Sequence, residues 1–124
     1  MKTRLLLILG VLIIGAVPAI SQEVIDLTDQ SGSVKEVTIT NDGYDYLPNE
    51  IRVNVGDTVR LTYENGGGFH DWVLDEFDAA TRRISGGNAD TIEFTADTAG
   101  TFEFYCSVGK HRALGMVGDF VVVE

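Results

Sequence analysis

The chain has 124 residues, of which 9 are Lys or Arg and 19 are Asp or Glu, for a formal net charge of −10. That acidity argues against nucleic acid as a partner, because a phosphate backbone is bound by a basic face. One cysteine excludes a disulfide framework, and no repeat or low-complexity tract competes with a single-domain reading.

Residues 1–21 read as a secretory signal peptide. Lys2 and Arg4 give a basic start, residues 5–17 an apolar run, and Ala19, Ile20 and Ser21 a small-x-small cleavage site. An uncleaved membrane anchor is the alternative, disfavoured by Pro18 and by a run short of the roughly 20 residues that span a bilayer. The expected location is therefore periplasmic or extracellular. Removing 21 of the 124 residues leaves 103, and losing Lys2 and Arg4 leaves 7 basic residues against 19 acidic ones, a formal −12.

Residues 22–33 are polar and end in Gln-Ser-Gly-Ser, which predicts a flexible lead-in. From residue 34 onward the chain alternates with period 2. Val37 and Ile39 face away from Glu36, Thr38 and Thr40; Ile51, Val53 and Val55 from Arg52 and Asn54; and Val59, Leu61 and Tyr63 from Arg60, Thr62 and Glu64. After three glycines, His70, Trp72 and Leu74 share one predicted face, with Asp71 and Val73 on the other. Residues 78–90 form a long connection with a helical turn expected over 79–83. Ile92, Phe94 and Ala96 then alternate, and two last strands follow, with Phe102, Phe104 and Cys106 on one inward face and Met116, Gly118, Phe120 and Val122 on the other. Seven or eight short strands separated by turn signals predict an all-β Greek-key β-sandwich over residues 34–124.

The loop between the last two strands, YCSVGKHRALGMVG, sets Cys106, His111 and Met116 in a C-x4-H-x4-M pattern. With His70 upstream, these are all the Cys, His and Met of the chain except Met1. A thiolate and two imidazoles with a weak axial thioether form the donor set of blue-copper electron transfer. An unpaired cysteine in an exported protein has two other readings, an inert buried thiol and an intermolecular disulfide. Zinc would more often recruit a second Cys or a carboxylate than a Met.

The ligand loop, the upstream His and the stretch YLPNEIRVNVGDTVRLTYENGGGFHDWVL resemble the cupredoxin (plastocyanin/azurin) family of type 1 copper proteins, with a Cys-to-His spacing similar to that of rusticyanin and the phytocyanins. The resemblance implies a cupredoxin-like sandwich holding one copper ion through His70, Cys106, His111 and Met116. It also implies a monomeric electron carrier rather than an enzyme, with no small-molecule substrate, docking transiently with redox proteins near His111. Lys110, Arg112, Ala113 and Leu114 would flank that port. A copper-binding or storage module from the same donors is the alternative. The family commonly has Asn after the upstream His, bracing the residue after the Cys; here that pair would be Asp71 and Ser107.

Overall fold

In the computed structural model, which describes residues 23–124 and Gly15, the alternating segments become strands with one buried face. β1 (Val24–Asp26), β2 (Val34–Asp42), β3 (Asp45–Leu47), β4 (Glu50–Asn54), β5 (Thr58–Glu64), β6 (Phe69–His70), β7 (Val73–Leu74), β8 (Ala79–Ala80), β9 (Ile84–Ser85), β10 (Ala89–Thr95), β11 (Gly100–Tyr105) and β12 (Val117–Val123) follow in chain order. The excess over the expected seven or eight consists of pieces of two or three residues. Among the described residues no helix is long and apolar enough to cross a membrane; the signal-peptide reading of residues 1–21 lies outside them apart from Gly15.

Two mixed sheets make the sandwich, one ordered β1-β4-β12-β11-β7-β8 and the other β10-β5-β2-β3, with β6 and β9 paired separately. The turn at Gly56 and Asp57 does not close a hairpin, since β4 and β5 lie in different sheets. Ile51, Val53, Phe104, Phe120 and Val122 from the first sheet bury against Val37, Ile39, Val59, Leu61 and Tyr63 from the second. Trp72 fills the space between them, stacking on Phe94 with ring centroids 6.0 Å apart and tilting onto Phe104 at 5.3 Å. Burial of one apolar face per strand is the main source of stability in such a sandwich.

Three local expectations are corrected. The lead-in 22–33 contains a strand rather than a flexible segment: β1 runs parallel to β4, with Ile25 opposite Ile51. Its polar composition hides two apolar anchors, Ile25 packed against the core and buried Leu27, whose amide donates to the Arg52 carbonyl at 2.9 Å. The helical turn falls earlier than 79–83, as a 3-10 turn over Asp75–Phe77 that ends at Asp78 in the left-handed region, φ 49°. Phe77 pins it by packing edge-on against Phe102 and Phe120, leaving β8 to pair with β7. The segment 70–74 is not one strand. It breaks at Asp71 and Trp72, both buried, so Asp71 does not face outward.

The inward face of β2 carries polar residues at both ends, Lys35 and Asn41, around Val37 and Ile39. The Lys35 ammonium donates to the Gly32 carbonyl at 2.5 Å and lies 3.5 Å from Asp57 Oδ1, while Asp57 Oδ2 accepts from the Asn54 amide at 2.8 Å. Removing one member of a buried pair strands the other charge. Asp57→Ala is therefore expected to cost about 3–5 kcal/mol, read as a large drop in the urea unfolding midpoint; an unchanged midpoint would show that the pair holds nothing.

Candidate metal centre

Two separate parts of the chain meet at one end of the sandwich. Strand β6 brings His70, and the loop 106–116 between β11 and β12 brings the rest. That loop closes on itself: the His111 amide donates to the Val108 carbonyl at 3.0 Å, the His111 carbonyl accepts from the Leu114 and Met116 amides at 3.1 and 3.0 Å, and the Cys106 amide donates to the Met116 carbonyl at 3.1 Å. Each residue of the C-x4-H-x4-M pattern is thus fixed by the backbone before any ion is considered.

His70, Cys106 and His111 converge, their donor atoms lying within 4.8 Å of one another. His70 Nδ1 and His111 Nδ1 are 3.0 Å apart, and Cys106 Sγ lies 3.8 Å from the first and 3.4 Å from the second. Metal bonds of about 2.0–2.3 Å to nitrogen and sulfur put trigonal donors roughly 3.5–4 Å apart. The triangle is therefore metal-sized, with the two imidazoles needing to part slightly. Cys106 and His70 are buried, at 1% and 3% exposure, and Met116 is fully buried at the end of the same loop. His111 is half-buried, reaching toward the surface.

Burial sets the protonation of these groups. It lowers the pKa of His70, with repulsion from His111 as the next cause, so this imidazole is neutral and has a lone pair to offer at neutral pH. It raises the pKa of Cys106, so without a metal the sulfur is a thiol.

The segments are braced beside the donors. Asp71 follows His70 and Ser107 follows Cys106; the Ser107 amide donates to Asp71 Oδ1 at 2.7 Å and the Ser107 hydroxyl to Oδ2 at 2.5 Å. The carboxylate does what the family's amide does toward Ser107, which explains why Asp71 turns inward. The buried Tyr46 hydroxyl donates to the Asp71 carbonyl from the other side.

Sequence reading missed a second hub, Asn41. Its side-chain oxygen accepts from the Gly66 amide at 3.0 Å and from the Tyr63 hydroxyl at 2.7 Å, and its Nδ2 donates to the Gly43 and Gly67 carbonyls at 3.0 and 3.2 Å. It thereby joins the β2–β3 turn to the glycine segment before His70. Its place in the inward parity of β2 was the available signal. The same turn sets Tyr44 against His111, ring centroids 4.8 Å apart, and edge-on to His70 at 6.1 Å. Tyr44, Phe69 and both histidines line a cleft of about 500 Å³ that reaches the imidazoles.

Residues 33–124 match the family of copper binding proteins described as the plastocyanin/azurin family. The chain is 34% identical to a halocyanin from Natronomonas pharaonis over 103 residues, 78% of this chain and 61% of that protein. It is 30% identical to the copper-resistant cuproprotein CopI of Rubrivivax gelatinosus over 104 residues, 68% of this chain and 63% of that protein. It spans less than two thirds of the length of either relative. Its fold is similar to that of a dithionite-reduced auracyanin from Roseiflexus castenholzii, with a TM-score of 0.67 and 26% identity over 75% of this chain and all of that one.

Two outcomes follow from this geometry. Because Cys106 must lose its proton to bind a metal, apparent copper affinity is expected to rise about tenfold per pH unit below the thiol pKa and to level off above it, measured by chelator competition; a flat profile would remove the thiol from the site. A Cβ on Gly68 would stand 2.6 Å from His70 Nε2, at a φ of +84° that disfavours any side chain. Gly68→Ala is expected to weaken copper binding by about 10–100-fold through the displaced imidazole, and unchanged affinity would show that the ring has room to move.

Proposed function

Since this chain belongs to the plastocyanin/azurin family of copper binding proteins, we propose that it is a small exported blue copper protein that carries single electrons between redox proteins, with His70, Cys106, His111 and Met116 as the ligands. The observation that carries this reading is the convergence of one buried thiol and two imidazoles, with pair distances of 3.0–3.8 Å, the thiol on a loop that also carries a fully buried methionine. Copper bound there supplies a one-electron Cu(II)/Cu(I) couple.

The protein's part is to hold its donors still. Cys106 would offer the strong sulfur bond once deprotonated, His70 and His111 would offer their imidazole Nδ1 atoms, and Met116 would offer a soft, weak thioether. Ligands fixed by the loop's own hydrogen bonds and by the Asp71–Ser107 brace have little freedom to follow a change in oxidation state, which favours fast exchange. Of the donors, His111 comes nearest the surface. Exposed Tyr44, Phe69 and Leu114 give this end an apolar contact face. Arg112 is spent locally: it lies over the Tyr105 ring at 3.8 Å and 2.8 Å from Glu103 Oε1, so Lys110 is the loop's remaining free cation among the described residues. Two His and one Cys supply one such centre in this chain and not a second.

The likeness to the copper-resistant cuproprotein favours a second reading, a copper-handling module whose redox cycling is incidental. A reversible one-electron wave and rapid self-exchange of the copper protein support the carrier, whereas tight binding without either supports the module. The ligand assignment is tested separately. Oxidised copper protein is expected to be intensely blue, and Cys106→Ala to lose the colour while remaining folded; a surviving band in that variant would show that another group holds the copper. Leu114→Asp, which leaves all four donors in place, is expected to slow exchange with a protein partner at constant colour.

A further inference from the structure

The position after His70 carries Asp71, a carboxylate that puts a negative charge one residue from one donor and, through Ser107, one residue from another. Its side chain is 5% exposed, and both oxygens are taken by Ser107. A buried carboxylate beside an ion that alternates between two charges stabilises the more positive one. The only cationic group within ion-pair distance of it among the described residues is Arg83, whose Nε stands 3.7 Å from Asp71 Oδ2.

Arg83 also grips the other half of the brace. Its guanidinium donates from Nη2 to the Ser107 carbonyl at 3.2 Å and to the Ser107 hydroxyl oxygen at 3.1 Å, with Nε 3.3 Å from the same oxygen. The segment that presents it is well anchored. On one side the Arg82 amide and guanidinium hold Asp90 at 2.8 and 3.2 Å; on the other, Ile84 pairs with His70 in the β6–β9 ladder and its carbonyl accepts from Asn65 at 2.7 Å. Arg83 is thus set between two fixed points, with a forked donor that reaches both the residue after His70 and the residue after Cys106.

We infer that Arg83 is a positioning residue of the proposed copper centre that offsets the Asp71 charge and so sets the balance between its two oxidation states. This rests on copper being held at His70 and Cys106, as proposed above, but not on the electron-carrier role. The sign is fixed by electrostatics. Without Arg83 the carboxylate acts alone, the oxidised ion is favoured, and the reduction potential falls. Without Asp71 the guanidinium acts alone and the potential rises. Arg83 is half exposed, so the shift caused by its loss should shrink as salt screens it.

The test is the midpoint potential of the copper-loaded full chain, by spectroelectrochemistry at low and high salt, for wild type, Arg83→Gln, Arg83→Lys, Asp71→Asn and the double variant Arg83→Gln with Asp71→Asn. The expected result is a lower potential for Arg83→Gln, a higher one for Asp71→Asn, a value near wild type for the double variant, and recovery by Arg83→Lys, which keeps the charge but not the fork. The urea midpoint of each copper-free variant controls for folding. Single variants that shift the potential in the same direction, or an Arg83→Lys variant that behaves like Arg83→Gln, would overturn charge offset in favour of a purely mechanical clamp. A blue wild type whose potential is indifferent to Arg83→Gln would overturn the role of Arg83 alone. A wild type that binds copper without a thiolate band would overturn the ligand assignment, and this role with it.

Discussion

Everything at the metal end depends on two hydrogen bonds, from the Ser107 amide and hydroxyl to the Asp71 carboxylate. His70 and Cys106 are 36 positions apart, one in β6 and the other just past the end of β11. Neither strand alone determines where its histidine or cysteine points relative to the other. The brace does, one residue beyond each donor. Its cost is visible in the backbone: the strand after His70 cannot continue, and the chain recovers by pairing the Trp72 amide with the Thr81 hydroxyl and the Trp72 carbonyl with the Thr81 amide. The broken strand is thus a consequence of the site, and the Tyr46 hydroxyl on the Asp71 carbonyl keeps the break from relaxing.

The apolar core supplies the platform, but the polar groups inside it decide where the platform ends. β2 has Lys35 at one end of its inward face, paired with the Gly32 carbonyl and Asp57, and Asn41 at the other, with its four side-chain bonds made. The ion pair with Asp57 closes the end of the sandwich remote from the donors. Asn41 organises the opposite end, where the glycine segment must pass close: a Cβ on Gly66 would fall 2.3 Å from the Asn41 carbonyl oxygen. A buried polar hub of this kind stabilises only when each of its donors and acceptors is met, and then it specifies one arrangement rather than several.

Period-2 alternation made the long strands legible, because each of β2, β4, β5 and β12 has one face in the core. The converging donors were legible from residue type and spacing, since soft sulfur and imidazole on one loop have few other uses. The Asp71–Ser107 contact was legible through the family resemblance. Composition misled in 22–33, where two apolar side chains among polar ones were enough to form β1. Arg83 left no signal at all, since an exposed arginine in a connecting segment reads as solvated, and only the β6–β9 pairing carries it to Ser107. Tyr44 was equally silent, because a tyrosine in a two-residue turn gains its meaning from what that turn overhangs.

The seclusion of Cys106 has a chemical consequence apart from any metal. Thiol–disulfide exchange and oxidation by peroxides proceed through an accessible thiolate. Here the sulfur is 1% exposed and burial favours its protonated form, so it offers neither an approach path nor the reactive species. The chain's single cysteine is thereby shielded from cross-linking to another molecule and from climbing the oxidation ladder while it is empty-handed. The side of the site that does open, through the cleft at Tyr44 and Phe69, presents imidazole nitrogens, which those oxidants attack far less readily.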